Sequence, residues 1–94
     1  MEINEEQVEQ ILSDELAPTA HSESELIPKL EAIAELKGLN VYLFKEEALK
    51  AYFSNVNPEL GIALMAKSEE TARWNLQNLR KCYLVKLEPK NIIG

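Results

Sequence analysis

The stretch Leu60–Leu87, LGIALMAKSEETARWNLQNLRKCYLVKL, decides how this chain is read. It reads as a helix, a tight turn, a second helix and a short strand. Asn57 can cap the first of these helices and Pro58 suits its first position. From Glu59 to about Ala66 the chain then carries Leu60, Ile62, Ala63, Leu64 and Met65, which predicts a helix at the buried centre of the domain. Ser68 opens the next helix as an N-cap, because its hydroxyl can accept from an unpaired backbone N–H. Glu69 and Glu70 follow at the positive end of the helix dipole. Ala72, Leu76, Leu79 and Tyr83 recur at four, three and four residues, an apolar stripe facing a core. Trp74 lies ~160–200° from that stripe at ~100° per residue. It shares its face with Glu70, Gln77, Asn78 and Lys81.

Ala66, Ser68, Thr71, Leu76, Leu79, Leu84 and Val85 carry a resemblance to the helix-turn-helix of winged-helix and related DNA-binding domains. That family has a small residue before the turn, a Ser opening the recognition helix and a Thr three residues later. Spaced leucines and a Leu-Val step into a strand complete the pattern. The resemblance implies a recognition helix over 68–82 that enters the DNA groove. Lys67 and Tyr83 depart from the pattern, standing where the family has an aliphatic and a glycine. After Leu87 only seven residues remain, too few for a full two-stranded wing. Glu25-Leu26-Ile27-Pro28, with Leu30, Ile33 and Glu46-Glu47-Ala48-Leu49, also resembles the helical part of the small iron–sulfur subunit of respiratory NADH dehydrogenases and hydrogenases. The cluster cysteines of that family are missing here, so this likeness implies a helical docking module at most.

Ninety-four residues argue for one domain, over 1–94. With 46% hydrophobic and 28% charged residues the composition is that of a globular protein. No apolar run approaches the ~18 residues of a membrane span. The acidic start, MEINEEQVEQ, is unlike a secretory signal, and the single Cys82 cannot form an internal disulfide. A cytoplasmic location follows as the expectation. The net charge is −6, which argues against nucleic acid, but it is unevenly spread. Residues 1–44 hold ten acids against two bases, whereas residues 71–94 hold five bases against one acid. A basic working face on an acidic body would produce this asymmetry, and so would a solvated acidic face on the first helix.

The first helix is expected from near Asn4, with Ile3 stapled onto Val8 and a stripe of Val8, Ile11, Leu12 and Leu16. Pro18 ends it. A second helix starts between Ser22 and Ser24 and buries Leu26, Leu30, Ile33 and Ala34. Gly38 terminates it. Asn40–Phe44 reads as a short buried strand or extended connector that could pair with Leu84–Leu87. A third helix is expected from Lys45 to about Ser54, before the turn residues Asn55-Val56-Asn57-Pro58.

Together these elements predict a mainly α fold. Five helices are expected, the last three forming a trihelical helix-turn-helix unit over 41–94. The first two pack on it as an acidic pair over 1–38, with at most a minimal two-stranded β element. Metal-binding and phosphate-binding motifs are absent, and Cys82 reads as a small hydrophobe rather than a nucleophile. No enzyme, cofactor or small-molecule substrate is expected.

Two functions fit. One is a small DNA-binding regulator, a homodimer presenting two recognition helices ~34 Å apart to double-stranded DNA. Arg73, Asn75 and Gln77 would offer base-edge donors, and Arg80, Lys81 and Lys86 phosphate contacts. The other is a non-catalytic protein-interaction or assembly module, with Trp74, Gln77, Asn78 and Lys81 at the interface.

Overall fold

The computed structural model describes residues 20–88. Seven elements follow in order: β1 (His21–Ser22), α1 (Glu23–Lys37), β2 (Asn40–Phe44), α2 (Glu46–Leu49), β3 (Leu60–Ala66), α3 (Glu69–Gln77) and β4 (Tyr83–Lys86). The strands form one sheet in the order β1-β4-β3-β2. β4 runs parallel to β1 and antiparallel to β3, and β3 is antiparallel to β2. The fold is therefore α+β, three helices on a four-stranded mixed sheet, and not the five-helix, mainly α domain expected. The expected first helix and the C-terminal residues after Glu88 lie outside the described residues.

The correction turns on Leu60–Ala66. These residues form the strand at the heart of the sheet, not a helix. Successive side chains of a strand point to opposite faces. Ala63 and Met65 join Leu26, Leu30, Ile33 and Ala34 of α1 on one side. Leu64 and Ala66 join Ala72 and Leu76 of α3 and Leu49 of α2 on the other. A strand covered on both faces must be apolar throughout, so its sequence shows no alternation. The same run suits a fully buried helix, and only its length of seven residues favours a strand. With a strand at this position there is no helix-turn-helix among the described residues.

The flanking elements follow from local chemistry. α1 buries the expected stripe and ends at Gly38, whose φ of 69° is left-handed. Leu39 N–H then donates to the Ala34 carbonyl at 2.8 Å, satisfying a helix-end acceptor. β2 is an edge strand; Val41 and Leu43 face α1, and Tyr42 and Phe44 face the opposite helices. It pairs with β3 and not with Leu84–Leu87, because β3 lies between them. α2 is a single turn, shorter than the Lys45–Ser54 helix expected. Tyr52 N–H and Phe53 N–H both turn back to the Leu49 carbonyl, so Tyr52 and Phe53 reach the core from a turn.

α3 begins as expected, with Ser68 Oγ accepting from Thr71 N–H at 3.2 Å. It stops at Gln77, five residues short of the predicted end. Ala72 and Leu76 are buried, but Leu79 and Tyr83 do not continue that stripe. Leu79 is 63% exposed in the following turn, and Tyr83 opens β4. The β3–β4 ladder ends at Ala63–Tyr83, whereas β2 accompanies β3 as far as Ala66. Leu64, Met65 and Ala66 therefore have a strand neighbour on one side only, and the α3–β4 turn curls beside that open end.

Candidate binding site

The turn Asn78–Cys82 is held by a dense set of hydrogen bonds. The Trp74 carbonyl accepts both the backbone N–H of Asn78 at 3.1 Å and its side-chain Nδ2 at 2.8 Å. Leu79 N–H donates to Leu76 O at 3.1 Å and Arg80 N–H to Asn75 O at 2.9 Å. These bonds close the helix end while the chain reverses. The reversal puts two non-glycine residues, Leu79 at φ 52° and Lys81 at φ 51°, in the left-handed region. Each such residue costs about 1–2 kcal/mol through the clash of Cβ with the backbone. Strain of this kind persists where the surrounding structure fixes it, and it concentrates at sites of binding and switching.

The turn divides two hollows. Leu79 borders an open apolar hollow of about 260 Å³, walled also by Leu49, Phe53, Val56, Ile62 and Leu84. Leu79 and Leu84 are among the few large apolar side chains exposed on the described body. Arg80 and Lys81 border a second, polar hollow of about 690 Å³ at the open end of β3. Lys37 from the end of α1 and Lys67 from the β3–α3 junction add two more cations, and Thr71, Asn75 and Tyr83 add polar groups. No carboxylate lines it. Trp74 stands beside this boundary, 51% exposed, with the Arg80 guanidinium 5.0 Å from its ring centroid. A cation over an indole at an exposed site contributes about 0.5–1 kcal/mol and holds both side chains in place.

The residues expected at a DNA or protein interface separate accordingly. Asn75, Arg80 and Lys81 converge on the polar hollow. Arg73 points elsewhere: it donates to the Tyr52 hydroxyl at 3.1 Å and to Glu69 at 3.3 Å, and lies over the Phe44 ring. The hydrogen bond to Tyr52 first, and that to Glu69 second, raise its pKa above the ordinary value. Its role is to tie α3 to the α2 segment. Gln77 is exposed at the last position of α3, and Lys86 is exposed on β4 opposite Leu60 and Ser22. Trp74 is a surface residue, whereas the side chain of Asn78 is engaged in closing α3. Lys37, Lys67, Thr71 and Tyr83 were absent from the expected set: Lys37 comes from a distant segment, whereas Lys67, Thr71 and Tyr83 lie in the same stretch as Asn75 and were read only as parts of, or departures from, the helix-turn-helix pattern.

Cys82 sits beneath the turn, its thiol directed at the carbonyls of Arg80 at 3.4 Å and Asn75 at 3.9 Å. Burial pushes the thiol pKa up, which disfavours the thiolate, the nucleophilic form. Among the described residues no group of three or more His, Cys, Asp and Glu could hold a metal ion. No helix there is long and apolar enough to cross a membrane. No protein-family model matches the chain, and no curated protein or solved structure matches it significantly.

Proposed function

We propose that the chain is a non-catalytic binding module that takes an acidic, amphipathic segment of a protein partner along the α3–β4 turn. Carboxylates of the segment would meet Lys67, Arg80 and Lys81, and its apolar side chains would enter the hollow beside Leu79 and Leu84. The observation that carries this reading is the strained turn itself. It displays an apolar residue to one hollow and two cations to the other, a pairing that a folded core does not need. Trp74 adds a rigid aromatic surface of the kind enriched at interface centres.

Several observations favour a protein segment over duplex DNA. α3 is only nine residues long, and its first turn presents Glu69 and Glu70. The cations gather in a hollow rather than a stripe, and the chain as a whole is acidic. Because Trp74 is the only tryptophan, its emission reports directly on the site. A synthetic peptide of glutamates with leucines at helical spacing should shift that emission saturably at physiological ionic strength. Lys81→Glu and Leu79→Ser should each weaken the binding. Saturable binding of a duplex oligonucleotide, with no response to the peptide, would replace this reading with the DNA-binding one.

A further inference from the structure

α1 and α3 cover opposite faces of the sheet. Yet Lys37 and Leu39, from the α1 side, and Thr71 and Asn75, from α3, line the same polar hollow. A space bordered from both faces lies in the plane of the sheet, beyond the edge of β3. The line of β4, extended back past Tyr83, runs opposite Leu64, Met65 and Ala66 and into this space. β4 itself begins only at Tyr83, which borders the hollow. The volume of about 690 Å³ falls within the ~300–1,000 Å³ of ordinary ligand pockets.

The ladder aims one backbone donor and one acceptor into this space. In an antiparallel pair, residues that exchange hydrogen bonds alternate with residues that do not. Leu60 is opposite Lys86, so Glu59 is opposite Leu87, and Leu87 N–H donates to the Glu59 carbonyl at 2.8 Å. Glu59, Gly61 and Ala63 therefore bond toward β4, and Met65 is next in that series. Its N–H and C=O point away from β2, at a level where β4 has ended. Among the described residues no turn or loop backbone group bonds to them. A strand edge left in this way is a template for another chain. The charges around it are of one sign. Lys67, Arg80 and Lys81 have no carboxylate partner among the described residues, and no carboxylate lines the hollow.

We infer that the polar hollow takes the C-terminal end of the partner segment, which adds to β3 as a short antiparallel strand bonded to Met65, its terminal carboxylate held by Lys67, Arg80 and Lys81. This inference rests on the proposed binding function, and it names the part of the segment that the polar hollow recognises. A chain lying in the line of β4 meets Tyr83 head-on, so a chain end fits the slot and a chain passing through does not. The cations select which end it is, because they repel an N-terminal ammonium and attract a carboxylate. Main-chain bonds to β3 and capture of a terminal carboxylate act together in this arrangement.

The test uses the whole chain and the glutamate–leucine peptide in three forms, read by Trp74 emission. One ends in a free carboxylate, one in an amide, and one in an amide with a further glutamate that restores the charge. The free acid should bind at least about tenfold more tightly than either amide, the loss expected for a charged hydrogen-bonding group. With the free acid at saturation, exchange of the Met65 amide hydrogen, followed by NMR, should slow. The amides of Val41 and Leu43, which by the same alternation face outward from β2, should be unchanged. Equal affinity of the free acid and the charge-matched amide would overturn the terminal carboxylate while leaving the binding site standing. Protection of Val41 and Leu43 instead of Met65 would also overturn the inference, since the added strand would then lie on the opposite edge. No response to any of the three peptides would remove the site reading, and this inference with it.

Discussion

The left-handed conformation of Lys81 makes a prediction whose sign, and not only its size, is at stake. Lys81 is exposed, so removing its side chain alone should change stability by no more than about 0.5 kcal/mol. At an ordinary position Lys81→Gly would be less stable than Lys81→Ala by about 0.5–1 kcal/mol, because glycine gains more freedom on unfolding. At φ 51° the Cβ clash adds about 1–2 kcal/mol against alanine and nothing against glycine. The order should therefore invert, with the glycine variant the more stable by about 0.5–1 kcal/mol. For a chain of this size that is a rise in Tm of several degrees. Urea denaturation followed by circular dichroism, with equal slopes for both variants, would measure the difference. Both substitutions remove the same cation, so partner affinity should fall equally in the two. An alanine variant as stable as the glycine variant, or more so, would refute the strained turn and the argument drawn from it.

Leu76→Ala should cost about 2–5 kcal/mol, seen as a large loss of Tm, since Leu76 is fully buried between α3 and the sheet. Gly61→Ala should destabilise the sheet by about 1–3 kcal/mol in the same assay, because a Cβ there would stand 3.0 Å from the Phe44 carbonyl oxygen and 3.2 Å from the side chains of Leu43 and Leu87. Trp74→Ala should leave melting within about 1 kcal/mol of the parent while weakening peptide binding, as its ring is half exposed and braced mainly by Arg80. Cys82 should react slowly with iodoacetamide at neutral pH, with a midpoint displaced upward from that of an exposed thiol. The sign follows from burial disfavouring the thiolate.

Much of the body was legible wherever a strong local signal coincided with periodicity. The stripe Leu26–Ala34 closed by Gly38 specified α1, and Ser68 specified the start of α3. Val41–Phe44 suggested β2 through its aromatic and β-branched content. The decisive error lay in Leu60–Ala66. A strand covered on both faces loses the alternation by which strands are recognised, and the likeness to a helix-turn-helix then drew the run into a helix. The early end of α3 had no glycine or proline to announce it. Asn78 was the available sign, and the tight turn depends on two residues that rarely adopt such a backbone. Of the site, Asn75, Arg80, Lys81 and Trp74 could be found because they share one short stretch. Lys37 could not, since nothing local links the end of α1 to that stretch, and Lys67 was read only as a departure from the helix-turn-helix pattern.

The position of β4 has a further consequence, for the order in which the molecule can be assembled. Translation delivers β1, β2 and β3 first, yet β1 touches none of the others until β4 enters between it and β3. Until Val85 is available, the apolar β3 therefore presents one bare edge, and such edges invite pairing with other chains. A nascent chain can form the β2–β3 hairpin and rest α1 against it, but the sheet closes only with the last strand. Closure also joins residues more than sixty positions apart, the kind of non-local pairing that slows folding. Partly synthesised or C-terminally clipped copies are thus the species most exposed to aggregation, and this liability comes from strand order rather than from the content of the core.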